Sequence, residues 1–115
     1  MEFDSNKPIY LQIVDAFCES ILAGTLPPDG RIPSVREYGA QIGVNPNTVA
    51  RSYERLTALE IIYNKRGIGF FVSPDAQARI LEHEKEQLLS EELPRLVERA
   101  ALLGIDSETL KKYIK

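Results

Sequence analysis

The stretch Ser34-Val-Arg-Glu-Tyr-Gly-Ala-Gln-Ile-Gly-Val-Asn-Pro-Asn-Thr-Val-Ala-Arg-Ser-Tyr-Glu-Arg-Leu56 decides the fold. It opens with a hydroxyl at Ser34 and a carboxylate three residues later at Glu37. That spacing lets each side chain bond the other residue's backbone N–H and start a helix. The helix should end near Ile42, because Gly43 supplies a backbone that turns with positive φ. Val44-Asn45-Pro46 starts another: Asn45 caps, and Pro46 occupies a first-turn position that needs no N–H. Val44 and Val49 are spaced as a hydrophobic staple across this start. Val49, Tyr53, Leu56 and Leu59 give the second helix an apolar face. Asn47, Thr48, Arg51, Glu54 and Arg55 lie on the other side.

Upstream, a helix is expected from about Pro8 to Ala23, with Leu11, Val14, Cys18, Ile21 and Leu22 as its apolar stripe and Tyr10 and Phe17 beside it. Gly24 is its stop, and Leu26-Pro-Pro-Asp-Gly30 is turn-rich. Downstream, Ile61–Asn64 and Phe70–Val72 read as two short strands around the glycine-containing tip Lys65-Arg-Gly-Ile-Gly69. The sequence changes character at Ser73-Pro74, which divides it into segments 1–73 and 74–115. The second reads as helix only. Pro94 should kink or end that helix, Gly104 should stop it, and Asp106 should cap a last one, with Ile105 and Leu110 as its staple.

The fold class is therefore mainly α with a small β-hairpin: a winged helix-turn-helix domain, then a short helical tail. In such an arrangement the second helix of the pair enters the DNA major groove. Asn47, Thr48 and Arg51 lie near the start of that helix, whose free N–H groups could also receive a phosphate. Gly67 and Gly69 remove side chains from the hairpin tip. The whole chain of 115 residues has a net charge of −3, yet the stretch from Arg31 to Arg66 holds six cations and three carboxylates. The positive charge thus gathers where a DNA surface is expected.

Composition excludes several classes. With 43% hydrophobic residues the chain can bury a core. No apolar run is long enough to span a membrane, and no basic segment with an apolar run opens the chain, so a cytoplasmic location is expected. One cysteine, Cys18, cannot form an internal disulfide, and with the single histidine, His83, it cannot make an ordinary zinc site in one chain. Cys18 reads as a small buried hydrophobe and His83 as a solvated residue in a charged run. No cofactor motif, nucleophile–base pair or phosphate loop points to an enzyme.

Arg31-Ile-Pro-Ser-Val-Arg-Glu, Ile42-Gly-Val-Asn-Pro-Asn-Thr-Val-Ala-Arg-Ser-Tyr-Glu-Arg-Leu and Arg66-Gly-Ile-Gly-Phe-Phe-Val, with Pro8-Ile-Tyr-Leu-Gln-Ile before them, resemble the GntR family of bacterial transcription regulators. The resemblance covers roughly residues 7–73. The tail, with Leu102-Leu-Gly-Ile-Asp, is similar to that of the YtrA-like branch. The resemblance implies a homodimeric repressor of a palindromic operator, with the tail as its interface. Residue by residue it implies DNA contact at Arg36, at Asn45, Asn47, Thr48 and Arg51, and at Arg66 and Gly67 on the wing. Two positions depart from the family: Pro28-Asp29-Gly30 replaces Pro-Gly-acid, and Glu60 stands where glycine is usual.

Plainer readings accompany these. Arg55 is a further candidate DNA contact, but Arg51 and Arg55 flank Glu54 and could pair with it; Asn45 could be only a cap. Tyr10, Phe17, Tyr53, Phe70 and Phe71 read as core rather than as stacking platforms. Leu88, Leu89, Leu93, Leu96, Val97 and Leu103 form a stripe too apolar to leave in water, and a second copy is its expected cover. A protein–protein interaction module is the alternative to DNA binding. A small-molecule effector stays open and unnamed.

Overall fold

A computed structural model describes residues 6–114. Helix α1 (Ile9–Leu22), α2 (Val35–Ile42) and α3 (Pro46–Ala58) precede a hairpin of β1 (Ile62–Lys65) and β2 (Gly69–Val72). Then come α4 (Ala76–Gln87), a π-helical turn (Leu88–Glu92), α5 (Leu93–Leu102) and α6 (Ser107–Lys111). Two compact units divide after Ile80.

In the first unit α1 starts one residue later than expected. Pro8 is its N-cap, and the Pro8 carbonyl accepts from the N–H groups of Leu11 and Gln12. Its buried residues are Ile13, Val14, Phe17 and Ile21. Leu11 and Cys18 are only half-buried, and Leu22 is exposed. Both sets have helical spacing and share Val14 and Ile21; contact with α3 chooses between them. Phe17 meets Tyr53 edge-on at 5.5 Å, and Tyr38 and Phe70 extend the aromatic cluster. The buried Tyr53 hydroxyl donates to the Pro33 carbonyl at 2.6 Å, which removes the cost of an unpaired polar group.

The helix pair forms as its local chemistry dictates. Ser34 Oγ accepts from the Glu37 N–H, and the Glu37 carboxylate accepts from the Ser34 N–H. Gly43 turns the chain at φ 70°. Asn45 and Pro46 then start α3, which buries Val49, Ser52, Tyr53 and Leu56; Leu59 is half-buried. The α3 exit turns on Glu60, one of the two departures from the family pattern. Glu60 has φ 61°, the left-handed conformation, with its N–H on the Thr57 carbonyl and the Ile61 N–H on the Leu56 carbonyl. This is a Schellman stop built on a non-glycine residue.

The hairpin pairs Ile62 with Val72 and Lys65 with Gly69. A third segment joins it. Arg31 bridges Phe71, the Ile32 N–H bonds the Phe70 carbonyl, and the Val72 N–H bonds the Gly30 carbonyl. Asp29, also left-handed at φ 61°, bends the chain into this position, and its carboxylate accepts from the Tyr63 hydroxyl at 2.9 Å.

The first part of α4 belongs to the first unit, not to a separate tail starting at Pro74. Ala76 and Ile80 are buried in its core, and the Gln77 amide donates to the Ile21 carbonyl. In the second unit the helical path does not break at Pro94. A π turn precedes it, with the Leu93 N–H bonded to the Leu88 carbonyl, and Pro94 falls in the first turn of α5. Gly104 ends α5 in a Schellman motif, and the Asp106 carboxylate accepts from the Thr109 N–H at 2.8 Å.

Candidate nucleic-acid interface

The start of α3 presents side chains more than backbone. Pro46 has no N–H. That of Asn47 is held by Asn45 Oδ1 at 2.8 Å, and that of Thr48 bonds the Asn45 carbonyl at 3.0 Å. The expected free N–H groups are therefore already engaged: the cap that starts the helix occupies them. Asn45 serves as a cap with one amide face committed. Asn47 is exposed and Thr48 half-buried.

Arg51 and Arg55 are exposed on the same helix. Neither pairs with Glu54; among the described residues the ion pairs lie elsewhere. The Arg51 guanidinium instead sits over the ring of Tyr10, with Cζ 3.9 Å from the ring centroid. Tyr10 is thus not a core residue but a half-buried platform in the first turn of α1. Together with Pro8 and Ile9 it faces Asn47, Thr48 and Arg51 around a recess of about 370 Å³. Local sequence gives no sign of this, since Tyr10 and Arg51 meet only when α1 packs on α3. A second, apolar recess of about 520 Å³ lies between α3 and the hairpin, lined by Tyr53, Thr57 and Phe70, with Glu54 and Asn64 as polar members.

Arg36 is exposed on the first turn of α2, beside the capping pair. Hydrogen bonds from Ser34, side chain first and then backbone, hold the Glu37 carboxyl below its ordinary range. Arg66 and Gly67 are exposed at the hairpin tip, where the Ile68 N–H closes the turn on the Lys65 carbonyl. Gly67 has φ 80° with open space around it, so conformation rather than crowding requires glycine there. Arg31, not singled out from sequence, reaches along the wing: a Cβ added to Gly69 would lie 3.3 Å from its Nε. It is a further cation at the wing, brought there by the third-segment pairing. Burial pushes the Tyr53 hydroxyl well above its usual range, so it stays a neutral donor to Pro33.

In the second unit Leu88, Leu89, Leu93, Leu96, Val97 and Leu103 are all exposed, between 42% and 66%. Leu102 is exposed as well. His83 is half-buried rather than fully solvated. Among the described residues no group of three or more His, Cys, Asp or Glu could hold a metal ion, and no helix is long and apolar enough to cross a membrane.

The family model for bacterial regulatory proteins, gntR family, matches residues 9–72, which spans α1 through β2. The transcriptional repressor YtrA of Bacillus subtilis is 37% identical over 111 residues, covering 96% of this chain and 85% of that protein. A solved chain from Bacteroides thetaiotaomicron assigned to the GntR family is 50% identical, covers 90% of each chain and superposes with a TM-score of 0.77. The DNA-binding domain of AraR, solved in complex with an operator, is 30% identical, with 64% of this chain and 86% of that chain covered and a TM-score of 0.57.

Proposed function

Since the chain belongs to the GntR family of bacterial regulatory proteins and is a DNA-binding transcription regulator, we propose that it acts as a homodimeric repressor of a palindromic operator. The observation that carries this reading is the division of α3. Val49, Tyr53 and Leu56 are buried against the core, while Asn47 and Arg51 are exposed beside the α1 start. A helix so divided can lie in the major groove and keep its hydrophobic face dry.

In this mechanism Arg51 and Asn47 read base edges, because a guanidinium can bind guanine with two parallel hydrogen bonds and a carboxamide can do the same for adenine. Thr48, Arg36 and Arg55 bind the phosphate backbone. Arg66 follows the neighbouring groove from the wing, where Gly67 permits close approach. Side chains carry the phosphate grip, since the cap of α3 already holds its backbone donors.

The exposed leucines of the π turn and α5 support dimerisation through the second unit. Two recognition helices related by a two-fold axis would read two inverted half-sites. The test is selection of fragmented genomic DNA by the purified protein, with an Arg36→Ala/Arg51→Ala variant in parallel. A palindromic motif enriched by wild type alone is the expected result. Equal enrichment by both proteins would remove these arginines from the interface, and a single half-site would remove the dimer.

A further inference from the structure

We infer that Tyr10 is a specificity-determining positioning residue whose ring holds Arg51 ready for base readout; the inference rests on the reading of α3 as the groove-facing helix. An exposed arginine side chain loses much rotamer freedom when it must present one planar edge to one base. Contact through the face of the guanidinium limits that loss before DNA arrives, and leaves the N–H groups at its edge available. The Arg51 Cζ lies over the Tyr10 ring, 3.9 Å from its centroid, a separation that suits such a contact.

Tyr10 is itself anchored. Its carbonyl accepts from the buried Ser52 hydroxyl at 2.7 Å, and Ser52 follows Arg51 on α3. The backbone of the platform is therefore bonded to the residue next to the one it supports. Asn47 and Thr48 border the same recess, so the ring sits where the other side chains at the start of α3 converge. Among the described residues no carboxylate pairs with Arg51 and competes for its edge.

The test uses the full chain and the motif that wild type selects. Affinity is measured for that motif and for every single-base change in it, with wild type, Tyr10→Phe, Tyr10→Leu, Arg51→Ala and the Tyr10→Leu/Arg51→Ala pair. Tyr10→Phe should stay within about twofold of wild type, because the ring face does the work. Tyr10→Leu should lose about three- to tenfold, confined to the base pair whose selectivity Arg51→Ala also relaxes. Added to Arg51→Ala it should cost nothing more, as expected of two residues acting through one contact.

Loss spread evenly over all base changes would overturn the inference, and so would a loss that multiplies with that of Arg51→Ala. A Tyr10→Phe variant as weak as Tyr10→Leu would assign the effect to the hydroxyl and likewise overturn it. Helical circular dichroism and an unfolding midpoint close to those of wild type certify that a variant is folded. Should Tyr10→Leu fail this check, Tyr10→Met replaces it under the same criteria. If wild type selects no motif at all, the groove-facing reading falls and takes this inference with it; selectivity untouched by Tyr10→Leu removes the inference alone.

Discussion

Glu60 offers the sharpest test of how the wing is attached to α3. It holds φ 61° where the chain leaves the helix, and its carboxylate pairs with Arg79 at 2.9 Å. A left-handed backbone costs an L-residue about 1–2 kcal/mol. Glycine there escapes that cost but adds about 0.5–1 kcal/mol of unfolded-chain freedom. The ion pair is exposed and shared with Asp75, so it contributes at most about 0.5 kcal/mol. Glu60→Gly alone therefore mixes three small terms. Comparing Glu60→Gly with Glu60→Ala cancels the ion pair, because both variants lose it. Glycine should come out about 1 kcal/mol more stable than alanine. With a urea dependence of about 2 kcal/mol per molar, the unfolding midpoints should differ by about 0.5 M. Arg79→Ala removes this pair together with the one to Asp75, so its midpoint shift sets an upper bound on what the Glu60 pair contributes. Operator affinity should change little in Glu60→Gly, since glycine adopts the same turn. An alanine variant as stable as the glycine variant, or more so, would refute the left-handed turn and with it this account of the wing's position.

Further expectations concern the interface, the dimer and the capping box. Arg51→Ala should cost about 1–3 kcal/mol of operator binding and relax selectivity at one base pair, whereas Arg66→Ala should weaken all sequences alike and reduce the salt slope by about 1; titrations at several salt concentrations separate the two. Leu96→Glu, placed in the exposed stripe, should convert a dimer into a monomer by sedimentation while leaving the helical circular dichroism intact; a mass equal to wild type would send the interface elsewhere. Glu37 should titrate below the ordinary carboxylate range, and Ser34→Ala should return it upward, as followed by NMR. Because the folded value is the lower one, the box stabilises the protein above the unfolded range and loses that contribution as pH falls through the folded value.

What could be read from the sequence had local causes. The reciprocal bonds of Ser34 and Glu37 span three residues, and Gly43 and the Asn45-Pro46 start act within one turn. Residues this close meet in almost any compact chain, so their chemistry sets the helix ends before packing enters. The departure at Glu60 was legible only against the glycine that the family resemblance implies there; its left-handed φ followed. The exposed leucines of the second unit were legible because apolar periodicity survives without knowledge of what covers it.

The sequence by itself thus determined the helix pair, its caps, the hairpin and the placement of basic residues around them. Tertiary structure decided the rest. It chose Ile13 and Phe17 over Leu11 and Leu22 for the buried face of α1, paired Arg31 with the wing and drew Ala76 and Ile80 into the first core. It also put Tyr10 beneath Arg51, the feature that bears most on recognition. Each of these contacts joins residues far apart in the chain, where several pairings satisfy the same local pattern and only close packing in three dimensions selects one.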